Sequence, residues 1–327
     1  MAKEISKERV LALLKILFEQ TDDEHGLTME ELLSALEDVG VSAERKAVYR
    51  DFDALRKAGI DVARQRCKPA RYCLAKRPFS RAELLLLVDA VQGSKFITTR
   101  QSASLVRAIK SLGSKHQAKG LERRVFVGGR VKSQNDSVFH NVDTIQDAIT
   151  AKRKLRFTYA SYDCSARLRL KRGGQTYTQT PVQLIYSGGF YYLVCYSDKH
   201  NDFANYRVDR MRSLCISDER ASRNALIATF DADDYDRRSI SMFAGEPTQA
   251  VLRVKESAMN AIVDRFGKDV QVDDNGDGTA CVSVPAMETS VFFGWVAQFE
   301  GRVVIDQPSS LRKKYADYLR GLLQDYE

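Results

Sequence analysis

Residues 188–198, GGFYYLVCYSD, are followed eight residues later by 206–211, YRVDRM. The first stretch sets three tyrosines in a short apolar run, and the second sets two arginines three residues apart. Aromatic rings stack on flat groups, and planar guanidinium forks grip phosphate. One chemistry on offer is therefore a pocket for something flat and anionic. The other is an ordinary β core with an ion-paired rim, in which Asp209 takes a neighbouring arginine and the tyrosine hydroxyls sit at the edge. Aromatic strands are common for packing reasons alone, so the residue pattern by itself favours the second reading.

Catalysis has less support. A Ser, Cys or Thr nucleophile needs a positioned base, and the four histidines (His25, His116, His140, His200) stand in polar, loop-like or linker contexts. No G-x-S-x-G occurs, and the Gly-Gly pairs at 128–129 and 173–174 lack the Gly-Lys-Ser/Thr of a phosphate loop. The DDNGDG run at 273–278 lacks EF-hand spacing and the closing glutamate, so it reads as a hairpin turn. Six cysteines at 67, 73, 164, 195, 215 and 281 form no C-x-x-C and have no histidine at ligand spacing. Reduced, mostly buried thiols are expected, with no metal, no cofactor and no enzymatic activity.

The elements that must position these residues follow from length and charge. At 327 residues the chain is too long for one core. Its net charge of +8 is unevenly spread. Ser42 to Arg77 holds eleven Lys/Arg against four Asp/Glu, and Arg100 to Arg172 holds seventeen against five. Gly245 to Glu327 reverses the balance, nine against thirteen. Two basic segments imply a polyanionic partner, most commonly nucleic acid.

Val10, Leu13, Leu14 and Leu17 predict a first helix with Ser6 as N-cap. Thr28 and Glu31 form a capping box for a second, which Gly40 stops. A third runs from Ser42 as N-cap to just before Gly59. Projected at 100° per residue, its Val48, Phe52 and Leu55 share one side. Lys46, Arg50, Asp53 and Lys57 lie opposite, flanked by Arg45, Tyr49 and Arg56. Residues 60–76 then alternate around Lys-Pro-Ala as a hairpin tipped by Arg64, Arg66, Lys68 and Arg71. Three helices and a basic hairpin describe a winged helix-turn-helix with double-stranded DNA as its partner. Arg45, Lys46, Tyr49 and Arg50 meet the groove, and Arg66 and Lys68 lie on phosphates.

A capping box at 80–83 opens an apolar helix, and Leu105, Ile109 and Leu112 mark another. These helices serve either as a dimerising connector or as a cap on one domain. After a helix carrying Val142, Ile145 and Ile149, five short strands (KLRFTYAS, ARLRLKR, QTYTQTPVQLIY, GGFYYLVCYS, NYRVDRM) suggest a small Sm- or SH3-like barrel. Alternation puts Phe190, Tyr192, Val194 and Tyr196 on one face, and Tyr206, Val208 and Arg210 on one face of the last strand.

This order of parts resembles the WYL-domain transcriptional regulators. The motifs that carry the resemblance are Ala47-Val48-Tyr49-Arg50-Asp51, Pro181, Tyr191-Tyr192-Leu193 in place of Trp-Tyr-Leu, and Tyr206-Arg207-Val208-Asp209-Arg210-Met211. Tyr177 stands where that family often has an arginine. SVFFGWVAQFEGRVVIDQPSSL, with Trp295, is similar to its ferredoxin-like C-terminal WCX-type extension. The resemblance implies a barrel that senses a nucleotide or nucleic-acid fragment. Tyr191, Tyr192, Arg207 and Arg210 would be its contacts, with Tyr159 and Arg169 beside them.

The expected chain is thus an α+β multidomain protein: a winged helix over 1–78, a connector over 79–138, a WYL barrel over 139–225 and an α/β WCX-like domain over 226–327. It is expected to be a homodimer, since most oligomers are two-fold and two half-sites need two recognition helices. With no apolar run of about 20 residues and no signal-peptide core in MAKEISKERV, a cytoplasmic location away from membranes is expected. The alternative function is an accessory RNA- or single-stranded-DNA-binding protein of a nuclease or defence system.

Overall fold

The computed structural model describes residues 2–121, 133, 135–243 and 245–327. They form two compact units, Met1–Gln134 and Asn135–Glu327. The Gly-Gly-Arg at 128–130 lies outside the described residues.

The first unit opens with α1 (Ala2–Gln20), β1 (Leu27–Thr28), α2 (Met29–Asp38), α3 (Arg45–Lys57), β2 (Val62–Gln65) and β3 (Arg71–Leu74). Leu13, Leu17, Leu32, Leu36, Val48 and Phe52 make its core. At the start of α2, Glu31 N–H donates to Thr28 Oγ1 (3.2 Å) and Thr28 N–H to Glu31 Oε2 (2.7 Å), the box read from the sequence. Gly40 leaves the helix at φ 79°, a left-handed conformation that glycine adopts without strain. Two cap expectations fail. Ser6 lies inside α1. The third helix starts at Arg45 behind an extended Glu44 rather than from Ser42. Val41 is buried and Ala43 packs on the core, which keeps this backbone extended. Burying such side chains outweighs a capping bond of about 1 kcal/mol.

The three strands pair antiparallel in the order β1-β3-β2, with Val62 opposite Leu74 and Leu27 opposite Tyr72. In the same unit, α4 (Arg81–Gly93), α5 (Thr99–Lys110) and α6 (Lys115–Gly120) each begin with a capping box. Leu84 and Val88 are the buried side of α4. Leu105 and Leu112, expected on a packing stripe, face outward, as does Leu86 at 69% exposure. The buried position of α5 is Ser102, so a small side chain, not the leucines, sets its approach to α4.

In the second unit, α7 (Val138–Ala151) packs Ile145 and Ala148 inward. The strands β4 (Arg153–Tyr162), β5 (Leu168–Leu170), β6 (Tyr177–Ser187), β7 (Phe190–Ser197), β8 (Asp202–Arg207) and β9 (Met211–Arg220) run antiparallel in the order β5-β4-β6-β7-β8. β9 pairs with β4, so the sheet curls back on its first strand. The run NYRVDRM is therefore not one strand: Val208–Arg210 is a 3-10 turn between β8 and a sixth strand. The expected sharing of one strand face by Tyr206, Val208 and Arg210 fails with it. Val208 is fully buried inside the curl, and closing the sheet demands the sharp corner.

Next come α8 (Ala225–Ala228), α9 (Ala232–Arg238), β10 (Glu246–Lys255), α10 (Met259–Phe266), β11 (Gln271–Asp274), β12 (Thr279–Glu288), α11 (Ser290–Ala297), β13 (Val303–Gln307) and α12 (Ser309–Gln324). Four of the strands form an antiparallel sheet ordered β11-β12-β10-β13 over a core of Leu252, Ile262, Val282, Phe292 and Leu311, with Trp295 against it. Residues 275–278 are the hairpin turn joining β11 to β12. From Leu193 to Ser197 every residue of β7 is buried, because Val194 and Ile185 also pack on Tyr235, Met242 and Met287. Simple in-out alternation fails there for that reason. The thiols are less buried than expected: Cys73 and Cys195 are buried, whereas Cys67, Cys164 and Cys215 are exposed. Among the described residues no helix is long and apolar enough to cross a membrane.

Candidate nucleic-acid interface and ligand site

The buried side of α3 is Ala47, Val48, Asp51, Phe52 and Leu55. Arg45, Lys46, Tyr49 and Arg50 are all exposed on the other side. Arg56 is restrained, donating to Asp53 Oδ1 (2.9 Å) and to the Val62 carbonyl (3.2 Å). Among the described residues, Arg45, Lys46 and Arg50 enter no ion pair, and neither do Arg64, Arg66 and Lys68 on the hairpin. Arg71 differs from its neighbours at the tip: it donates to the Gly26 carbonyl (2.7 Å) and lies 3.8 Å from Glu31.

Tyr49 is not a free phenol. Its hydroxyl is 3.0 Å from that of Tyr72 on β3, which ties the helix to the hairpin. The bond to Tyr72, with one to Arg45, pulls the Tyr49 pKa down, whereas burial pushes that of Tyr72 up. Asp51, part of the sequence signature, points inward to Arg9.

Close by in sequence, Asp22 is 2% exposed. It accepts from the Ser114 hydroxyl and from His25, whose ring stacks on His116 at 4.0 Å. Burial opposes ionisation of Asp22, but these bonds together hold its pKa below the ordinary value. Sequence spacing gave no sign of this cluster, because it joins segments 92 residues apart. No reactive serine results, since Ser114 bonds the carboxylate and not an imidazole.

In the second unit the Val208–Arg210 turn gathers four of the six sequence-predicted ligand residues. Tyr159 Oη accepts from the Arg207 backbone N–H (3.1 Å). The Arg207 guanidinium forks onto Asp209 at 3.0 and 2.7 Å and lies 3.4 Å over the Phe190 ring. Burial works against its charge, but Asp209 outweighs burial and raises its pKa. Tyr192 is directly opposite Arg207 in the strand pairing. The Arg210 charge acts on both Tyr159 and Tyr192, yet burial dominates and raises both phenols. The Arg210 Nε is buried and has no hydrogen-bond partner.

The other two residues stand apart. Arg169 on β5 is 71% exposed and held by Asp163 at 2.7 Å. Tyr191 pairs with Tyr186, ring centroids 5.1 Å apart. In their place are residues that sequence reasoning missed. Phe157, Tyr177 and Tyr206 join the predicted Tyr159 in one aromatic cluster with centroids 5.1 to 6.4 Å apart. Arg172 lies 5.2 Å over Tyr177, and Lys171 Nζ 6.0 Å from the Tyr159 ring. The signal was Tyr177 itself, an aromatic at a position that resembled an arginine site. Among the described residues no three His, Cys, Asp or Glu side chains are grouped to hold a metal. Together these rings offer stacking faces and the guanidinium groups offer forks for an anion.

Comparison with known proteins finds two family models on the second unit. The family model of the WYL domain matches residues 140–216, and that of the WCX domain matches residues 246–323. An "Uncharacterized HTH-type transcriptional regulator YobV" of Bacillus subtilis (strain 168) is 23% identical over 339 residues, covering 98% of this chain and 99% of that protein. Among solved structures, Proteasome accessory factor B/C of Arthrobacter aurescens is 18% identical with a TM-score of 0.28, covering 95% of this chain. This chain spans only 45% of that one. A CRISPR Cas-related protein is 13% identical with a TM-score of 0.36, covering 99% and 85%. The chain thus carries a WYL domain on the curled sheet and, after it, a WCX domain on the four-stranded sheet just described.

Proposed function

We propose that the protein is a DNA-binding transcriptional regulator that answers to an anionic effector. The observation that carries this reading is the row of exposed cations that enter no ion pair among the described residues, Arg45, Lys46 and Arg50 on α3, continued by Arg64, Arg66 and Lys68 on the hairpin. A helix of that charge fits the major groove, and a basic hairpin suits the adjacent phosphates. In this reading α1 to β3 are a winged helix-turn-helix, the curled sheet is Sm-like, and the order β11-β12-β10-β13 with crossovers α10 and α11 is ferredoxin-like. Similarity to a regulator along nearly the whole chain supports it.

The effector is a nucleotide or nucleic-acid fragment. Its base stacks among Tyr159, Tyr177 and Tyr206, and its phosphate takes the guanidinium groups of Arg207 and Arg210. It regulates only by preferring one state of the protein over another. The working form is a cytoplasmic homodimer, and no catalytic step is assigned to it.

The test is duplex binding by the full chain across a salt series. Lys46→Ala with Arg50→Ala removes two phosphate-range charges, so the slope of log K against log salt falls by about 2. An unchanged slope and affinity sinks the proposal. Should the double variant lose nothing for single-stranded RNA while Arg207→Ala with Arg210→Ala loses it, the barrel is the main surface, and the accessory single-strand-binding function replaces the regulator.

A further inference from the structure

Two adjoining depressions lie where α7 ends and the chain leaves β9. One, of about 440 Å³, is walled by Pro181, Ile227 and Phe230 with the amide side chains of Gln183 and Asn224 among them. The other, of about 600 Å³, is walled by Lys152, Arg153, Arg220 and Arg223. They share Lys152, Ala221 and Arg223, so a single occupant spans both. The phenol cluster is elsewhere: along β4 Arg153 and Tyr159 stand six residues apart, roughly 20 Å at about 3.3 Å per residue.

Four cations held together repel one another. Arg153 is partly answered, donating to the Asp218 carbonyl (2.7 Å) with that carboxylate 4.0 Å away. Lys152, Arg220 and Arg223 enter no ion pair among the described residues. The backbone holds the group in place, with Ala221 N–H donating to the Lys152 carbonyl (2.9 Å). Lys152 itself caps α7 in the left-handed conformation, φ 53°. That position favours glycine or asparagine, and a strained residue that keeps its charge in a cleft points toward use.

We propose that this is a second effector site, which takes a nucleoside di- or triphosphate. The apolar depression has the size of a small-ligand pocket. Its mixture of a ring, a proline and the side-chain amides of Gln183 and Asn224, the latter with its oxygen already accepting from Ile227 N–H (2.9 Å) and its NH2 left to donate, suits a base with hydrogen-bonding edges rather than an acyl chain. Three unanswered cations call for more than one negative charge, which a polyphosphate tail supplies. The occupant touches α7, β6 and the 221–230 segment at once, and so fixes the path by which the chain leaves the barrel. The site uses none of the DNA-facing residues and none of the Tyr159–Arg210 cluster.

Calorimetry on the full chain with ATP, GTP, adenosine and inorganic tripolyphosphate tests it. Micromolar binding of a nucleoside triphosphate is expected, with adenosine at least tenfold weaker. Arg220→Glu with Arg223→Glu, both exposed, lowers nucleotide affinity at least tenfold. Ile227→Trp fills the apolar depression, weakening the nucleotide and sparing tripolyphosphate; Ala228→Trp serves if that variant unfolds. Arg207→Ala changes nothing here. The site is overturned if no nucleotide binds at millimolar concentration. It is equally overturned if nucleotide and tripolyphosphate bind alike and neither tryptophan alters them, or if binding survives the charge reversal and is lost with Arg207→Ala.

Discussion

Arg9 and Asp51 form a forked ion pair inside the first unit, Nε to Oδ2 at 2.6 Å and Nη2 to Oδ1 at 3.1 Å. Their side chains are 14% and 4% exposed. The pair locks α3, the helix with the exposed cations, onto α1. Asp51→Ala strands a mostly buried guanidinium, and denaturant unfolding is expected to show a loss of about 3 kcal/mol or more. Arg9→Met with Asp51→Leu recovers most of it, because an apolar pair of similar volume removes both desolvation costs. A loss below about 1 kcal/mol for Asp51→Ala would place the pair among ordinary surface bridges.

The Tyr49–Tyr72 hydroxyl contact makes a separable prediction. Tyr72→Phe removes one hydrogen bond without removing charge, at a cost of about 1 kcal/mol. Duplex affinity falls a few-fold as the hairpin loosens from α3, and the salt slope stays the same. A change in slope would mean that the hairpin cations had moved off the phosphates altogether.

Asp209 competes with any anion for Arg207. Asp209→Asn keeps the shape and removes the negative charge, which weakens the fork at 2.7 Å. Affinity for a short labelled single-stranded oligonucleotide, read by anisotropy, should rise about tenfold, equivalent to about 1.4 kcal/mol. Arg210→Ala should lower it. If Asp209→Asn weakens binding instead, the carboxylate positions Arg207 rather than competing for it.

Alkaline pH gives a fourth check. Burial raises the pKa values of Tyr159 and Tyr206 above that of a free phenol. A raised folded-state pKa favours the neutral form. The stability it lends is therefore complete below the unfolded value of about 10 and declines as pH climbs toward the folded value. Tyrosinate absorbance should show a group of phenols, Tyr159, Tyr192 and Tyr206 among them, that ionise only as the second unit unfolds. Tyr206→Phe should delete one of them; a titration in which all fourteen tyrosines ionise together near pH 10 contradicts the burial.

Much of the first unit was legible because its signals are local. The Thr28–Glu31 and Ser80–Glu83 boxes close within three residues, and the cation stripe of α3 follows from helical period alone. Ser42 misled because the cap competes with the burial of Val41, a fact about the core and not about neighbours in sequence. In the second unit, 206–211 reads as one more strand by pattern, and only the pairing of β9 with β4 forces the corner at Val208.

The ligand site divides in the same way. Residue types marked Arg207, Arg210, Tyr159 and Tyr192, but strand register brought Tyr177, Tyr206 and Arg172 beside them and turned Tyr191 toward Tyr186. By itself the sequence determined where helices with a capping box begin, which helical face carries charge and which segments hold rings and guanidinium groups, since propensity and period act over a few residues. Which of those groups meet was decided by the tertiary structure alone, since sheet closure and core burial join residues dozens of positions apart and settle together.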